Sequence, residues 1–332
     1  LSNNLMKTLA GIWCVLPFLF SACSPPEQAT SSSQPVATGA TQQLAEVAVN
    51  SPAPEQALAP LPEDATVSSP ELNEIRPGIH HIRWFVPKGP LQPGPYTINL
   101  LQVDLSRPDI RARVVPAQDS LETTSSICRR SGAFAGINGG PFNEAGPVGL
   151  LVLDGEIIQR PPGDSSPRAA LGLNKQTAWV DIVSASGENL AGRMEVPFFD
   201  WNMARYVLGA GPMLIRAGRV DISAEKEGFS AGEDYQPDVP MARSAVGIRG
   251  SILLLLTVDG NAPKRSIGFI LEQAAGFLQS RSGAWYAMAL EGGKSAAMFL
   301  DGQLISVPSA PGGQEQPVAN AICIFAEDEV KN

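Results

Sequence analysis

A chain of 332 residues holds one large domain or two, and its 17% charged and 6% aromatic content is that of an ordinary globular protein with a polar appendage. The formal charge is −9 and no basic run exceeds Arg129-Arg130, which argues against nucleic acid as the main partner, because neutralising phosphates needs clustered Lys and Arg. Abundant glycine (32) and proline (29) favour many turns over long helices.

Residues 1–23 read as an export signal, with Lys7, an apolar stretch from Leu9 to Phe20 and small residues before Cys23. The stretch is too short and too proline-interrupted to favour a spanning helix. Phe20-Ser21-Ala22-Cys23 resembles a bacterial lipobox, which makes Cys23 the expected lipidation site. The expectation is an exported, membrane-anchored lipoprotein, periplasmic or at the cell surface; simple secretion after Ala22 is the alternative. Residues 24–75, rich in Ser, Pro, Ala, Thr and Gln without sustained periodicity, read as a disordered tether. A flexible linker of that length spans ~40 Å. One domain then covers residues 76–332.

The domain opens with three strand-like runs, IHHIRWFVP, YTINLLQVDL and IRARVVPA. LETTSSICRRSGA reads as a short helix leading into the strand FAGIN, which stops at Gly139-Gly140. Three segments then share one grammar: GLLVLDGEIIQ (149–159), GPMLIRAGRVDI (211–222) and SAAMFLDGQLIS (295–306). Each is an apolar run, an Asp-Gly or Ala-Gly turn and a second strand, as tight hairpins require. Arg168-Ala-Ala-Leu-Gly-Leu and Arg243-Ser-Ala-Val-Gly-Ile follow the first two hairpins, so the middle of the chain reads as a drifted duplication. SIGFILEQAAGFLQS (266–280) carries apolar residues at helical spacing behind a serine cap. The strand AWYAMAL, then EGGKS, and the closing strand VANAICIFAE complete the chain. The fold class is a β-rich α/β (α+β) domain with mixed central sheets, several β-hairpins, few helices and a partly duplicated β-unit.

Of the cysteines outside the signal, Cys128 and Cys323 are left open between a disulfide and two buried thiols. The GGKS core at Gly292 to Ser295 fails as a nucleotide loop, because GxxxxGK[ST] needs glycine where Met288 stands. Four strand endings instead gather polar groups: Asn138-Gly139-Gly140, Arg243-Ser244, Asp259-Gly260 and Glu291-Gly292-Gly293-Lys294-Ser295. Ligands usually bind at such sheet ends, and glycines let them approach backbone N–H groups. This mixture suits an anionic, hydroxyl-rich ligand such as a glycosyl phosphate or phosphoglycan, not a nucleotide. Read singly, Asp259-Gly260 is also a common turn, Arg243 a surface ion pair and Lys294 a solvated charge. His80 and His81 fit no triad or metal spacing. No cofactor is demanded; Asn143, Glu144 and Asp154 would build only a weak divalent-cation site.

The ordered set INGGPFN, GLLVLDGEII, GAGPMLIRAGRV, ARSAVGI, LTVDG, SIGFILEQAA and LEGGKSAAMFLDG resembles the phosphodiester glycosidase domain family over roughly residues 80–327. The resemblance implies hydrolysis of a glycosyl phosphodiester. It implies Arg243 as a phosphate clamp, backbone donors at Gly139, Gly140, Gly292 and Gly293, and Asp259 or Glu291 as the reacting carboxyl. Asn138, Lys294 and Ser295 would orient sugar hydroxyls or phosphate oxygens. The family pattern is usually NGGFFD and LDGGGS; here Pro141, Asn143, Glu291 and Lys294 depart from it, and Asn261 stands where an Arg often follows VDG. A glutamate is one methylene longer than an aspartate, and a shift of about 1 Å in a reacting group costs ~100-fold in rate. A non-catalytic sugar-phosphate-binding lipoprotein of the same fold is therefore the alternative.

Overall fold

The computed structural model describes residues 70–327, apart from 89–92, 162–166, 188, 194–198, 231 and 233–234. The export signal, Cys23 and nearly all of the tether lie outside the described residues. The domain starts earlier than expected: Glu71–Arg76, assigned to the tether, is a strand paired with Ile79–Val86. Its ELNEIR sequence is mostly exposed, so burial left little apolar signal to read.

Three sheets dominate. The 8-stranded sheet runs in the order Glu71–Arg76, Ile79–Val86, Tyr96–Asp104, Ile252–Val258, Arg243–Arg249, Tyr286–Ala289, Met213–Arg216, Arg219–Val220. The 6-stranded sheet runs Glu156–Gln159, Leu151–Leu153, Tyr206–Gly209, Arg168–Leu173, Ala178–Ser186, Asn189–Gly192. The 5-stranded sheet runs Gln303–Leu304, Met298–Leu300, Ala135–Asn138, Asn320–Ala326, Ile110–Pro116. The strand-rich character holds, but the described pairings in these sheets are antiparallel rather than mixed. Short turns and hairpins make most connections, whereas parallel strands need long crossovers.

The duplication is real and extends to a third copy. In each sheet the order is hairpin outer strand, hairpin inner strand, short strand, central strand, next strand. The short strands meet their central strands in the same way: Ala210, Leu290 and Gly139 donate N–H bonds of 2.9 Å to the carbonyls of Ala169, Ser244 and Asn320. The third copy is permuted, because its outlying strand Ile110–Pro116 comes first in the chain and its central strand Asn320–Ala326 last. The hairpin turns have positive φ at Asp154-Gly155, Ala217-Gly218 and Asp301-Gly302, as the sequence grammar requires.

Inner faces of all three sheets meet in one core containing Leu101, Leu255, Ile137, Ile322 and Leu171. The 8-stranded sheet is buried on its other face as well, where Ile98, Leu100 and Leu256 pack against a helix, which explains near-continuous apolar strands. Helix α1, Thr124–Ser131, is capped by the Thr123 hydroxyl and ends at Gly132 in the left-handed region. Helix α2, Leu271–Ser282, covers the 8-stranded sheet and starts five residues later than the serine-cap reading placed it. Gln273 Oε1 accepts from Ile270 N at 3.0 Å, which supplies the helix start. Ser266 is spent elsewhere, donating to the Asp259 carbonyl at 2.6 Å.

Cys128 on α1 and Cys323 in the closing strand are fully buried free thiols with sulfurs 3.5 Å apart. Gly136 makes the room, since a Cβ there would lie 2.4 Å from Cys128 Sγ. The neighbouring Cys323 and burial both push the Cys128 thiol up, which keeps it protonated.

Candidate active site

Three of the polar strand endings meet at Asn138, which joins Ser244 to the Glu291 backbone. It is fully buried at the end of Ala135–Asn138. Its Oδ1 accepts from the Ser244 hydroxyl at 2.7 Å and from Ala297 N at 3.1 Å, while its Nδ2 donates to the Glu291 carbonyl at 2.6 Å. Glu291 N donates in turn to the Gly139 carbonyl at 3.0 Å. The backbone of Glu291 is thus gripped on both sides by the Asn138-Gly139 segment. Burying an amide with its partners in place costs little and fixes geometry tightly. The Glu291 side chain, half-buried, leaves this rigid base beside the exposed Lys294 and the buried Ser295 in the turn Gly293–Ser295.

Several expected donors are already in use. Gly139 N donates to Asn320 O at 2.9 Å, and Gly140 N to Asn320 Oδ1 at 3.1 Å. A Cβ at Gly139 would stand 1.8 Å from Asn320 Oδ1, and one at Gly140 2.4 Å from Gly209 O. These glycines therefore admit neighbouring backbone and side chain, not a ligand. Gly293 N donates to Ala242 O at 2.8 Å, with Gly292 packed beside the same carbonyl.

The expected clamp is likewise corrected. Arg243 is buried; its Nε donates to Phe269 O at 2.9 Å and its Nη2 to Gln236 O at 2.6 Å and Val239 O at 2.9 Å. Burial pulls its pKa down to about 10, so it remains a cation at neutral pH. The guanidinium ties the 236–239 segment and the approach to α2 onto the central strand, which commits most of its fork to protein carbonyls.

Asp259 stands at the same sheet end but points inward, 2% exposed. Its Oδ1 accepts from Val307 N at 3.0 Å, its Oδ2 has no hydrogen bond, and Arg265 Nη2 lies 3.6 Å from that oxygen. Burial raises its pKa above the usual carboxylate value, against the Val307 N–H and the Arg265 charge, which lower it. The 307–309 segment joins Asp259 to the glycine turn, because Ser309 Oγ donates to Gly293 O at 2.8 Å. Gly260 allows the approach of Ala242, whose N would lie 2.1 Å from a Cβ there.

The residues considered for a weak cation site do not gather. Asp154 accepts from Arg205 and Tyr206, each at 2.8 Å, and Asn143 Oδ1 accepts from Ala145 N. Among the described residues no group of three His, Cys, Asp or Glu is placed to hold a metal. Sequence reading missed Asn320 and gave Ser266 to a helix cap, whereas its hydroxyl holds the Asp259 turn. Asn320 was legible only as the polar residue opening an apolar closing strand, and its pairing with Gly140 spans 180 positions.

Comparison with known proteins agrees with this architecture. The phosphodiester glycosidase family model matches residues 131–325. A hypothetical protein from Synechocystis superposes with a TM-score of 0.63 at 19% identity, covering 78% of this chain and 64% of that one. The catalytic domain of zebrafish N-acetylglucosamine-1-phosphodiester alpha-N-acetylglucosaminidase, auto-inhibited by its pro-peptide, gives 0.53 at 20% identity, covering 82% and 87%. A putative exported protein from Burkholderia pseudomallei gives 0.52 at 18%, covering 70% and 74%. A sequence comparison with curated proteins finds no match. At these identities the solved structures establish the fold, while the family model spans more than half of the sequence: the chain belongs to the phosphodiester glycosidase family.

Proposed function

We propose that this domain hydrolyses a glycosyl phosphodiester in an extracytoplasmic or cell-envelope glycan, with Glu291 as the acting carboxylate. The observation that carries this reading is the double grip on the Glu291 backbone by Asn138 and Gly139, which holds a half-buried acid at a rim of polar groups. Its carboxylate takes a proton from water as the water oxygen bonds to the anomeric carbon. The bond from that carbon to the phosphate oxygen breaks, and the phosphate leaves with the electron pair. Asp259, the second carboxyl, is buried with a raised pKa and shapes the field below the site. Lys294 and Ser295 orient sugar hydroxyls or phosphate oxygens at the rim. Arg243 holds the 236–239 segment onto the central strand. Export is supported by the signal-like residues 1–23, with Cys23 as the proposed lipid anchor.

Turnover of an aryl-phospho-N-acetylglucosamine substrate tests the reading. Glu291→Gln is expected to lower kcat ~100-fold or more while leaving substrate affinity within a few-fold. An unchanged kcat removes Glu291 from the chemistry. The lengthened acid Glu291 and the departures at Lys294 and Asn143 favour a second reading, a non-catalytic sugar-phosphate binder. That reading prevails if the wild-type protein binds glycosyl phosphates yet turns over no such diester.

A further inference from the structure

A row of polar residues crosses the inner face of the 8-stranded sheet. Arg83 is paired with Asn99, Asn99 with Thr257, and Thr257 with Ser244, so the four side chains share one face. Ser244 continues the row to Asn138 and thence to Glu291. At the Arg83 end, His81 Nε2 and Asn99 Oδ1 are 3.2 Å apart, while the fully buried Asn99 Nδ2 has no partner. Arg83 is half-buried and near enough for its charge to act on both His81 and Asp259.

The same corner holds Arg265. Its turn is stapled to the neighbouring strand: Ser266 Oγ accepts from Thr97 N at 3.1 Å and donates to Asp259 O, and Thr97 Oγ1 donates to Arg265 O at 3.2 Å. The guanidinium therefore leaves a fixed backbone, with its side chain 42% exposed. Its 3.6 Å separation from Asp259 Oδ2 is too long for a hydrogen bond and leaves that buried oxygen without one. One guanidinium 3.6 Å from a buried acid, a second on the same sheet face and Lys264 exposed on the same turn make a local positive field on a chain of net charge −9.

We infer that Arg83 and Arg265 form the anion subsite of this domain, taking the phosphate of the diester, with Asp259 as the positioning residue for Arg265. Both arginines have forks suited to phosphate oxygens, and among the described residues neither is tied to backbone carbonyls as Arg243 is. The strand that carries Arg83 lies outside the stretch matched by the family model, so this half of the subsite belongs to the N-terminal strands of the domain. The inference rests on the hydrolase reading for its substrate, but not for its ligand chemistry.

The test uses inorganic phosphate as the probe, measured by calorimetry and by competition with aryl-phospho-N-acetylglucosamine turnover. Arg83→Gln and Arg265→Gln are each expected to weaken phosphate binding ~10-fold or more and to raise KM for the phosphodiester, with kcat less affected. Arg265→Lys should recover part of the loss, because it restores charge without the fork. Arg219→Gln, on an exposed hairpin strand, serves as the unchanged control. Thermal melting checks folding, and the lysine variant at the same position, Arg83→Lys or Arg265→Lys, replaces any glutamine variant that does not fold. Phosphate affinity and KM unmoved in folded variants overturn the subsite while leaving the role of Glu291 standing. Phosphate binding that depends on both arginines in a wild-type protein without turnover supports the subsite and removes the hydrolase reading. A wild-type protein that does not bind phosphate overturns the subsite outright.

Discussion

The unit led by Arg168 and the unit led by Arg243 share one strand order and part company at the glycine end. Past the short strand the first unit runs Ala210-Gly211-Pro212, and the second, in the same register, Leu290-Glu291-Gly292. At the matched step of the central strands Ala169 stands in one and Ser244 in the other. The two arginines do equivalent work: Arg168 Nε donates to Glu227 O at 3.1 Å and lies over the Phe229 ring at 4.3 Å, while Arg243 Nε donates to Phe269 O. Residues that recur between the units hold the frame. Residues that interrupt the recurrence, Ser244 and Glu291 with Asn138 from the third copy, bring polar chemistry to the place where the copies meet.

The sharpest way to break this comparison is to attack the frame of the first unit. Glu227 is 1% exposed, and its carboxylate accepts from Ala169 N at 2.7 Å, Met213 N at 2.8 Å and Ser223 Oγ at 2.6 Å, which ties two sheets together. Glu227→Ala should cost about 3 kcal/mol or more in urea unfolding, because it strands buried donors. Gly140→Ala comes next, at about 1–3 kcal/mol, since the added carbon meets the Gly209 carbonyl at 2.4 Å and backbone must move. Ser244→Ala gives the second unit the residue type of the first. About 1 kcal/mol of stability should go, together with a larger loss of turnover as Asn138 loses one of its fixed partners.

Asp259 gives the second unit a pH dependence. Burial raises its folded pKa above the ordinary 3.8, so its contribution to stability is fully present below that value and is lost as pH rises through the folded pKa. Asp259→Asn should therefore gain in melting temperature relative to wild type from acid toward neutral pH; a constant offset across that range would rule out ionisation as the cause. The smallest effect lies away from both glycine ends. Gly276 in α2 has nothing within 4 Å of a Cβ, and Gly276→Ala should stabilise by about 0.5–1 kcal/mol without changing turnover.

Hairpins and the succession of strands along a unit were legible because Asp-Gly turns and apolar runs are local signals. The gathering of polar strand endings was legible too, since strands that stop at glycines share a sheet end. The uses of those endings were not. Whether an arginine grips a ligand or its own loop depends on carbonyls such as Gln236 O and Phe269 O, which no spacing announces. Gly139 and Gly140 signalled close approach correctly, but the group that approaches, Asn320, lies at the far end of the domain. Glu71–Arg76 was missed because its exposed residues carry no alternation worth reading, and the start of α2 because Ser266 serves a turn rather than a helix.

The permuted third copy places a condition on biogenesis. Its central strand, Asn320–Ala326, is among the last parts of the domain to leave a ribosome, yet Asn138 and the glycines after it rest on that strand. A nascent chain can assemble the first two copies and still present no finished site. The polar groups at this sheet end therefore take their places only when the last strand of the domain has docked.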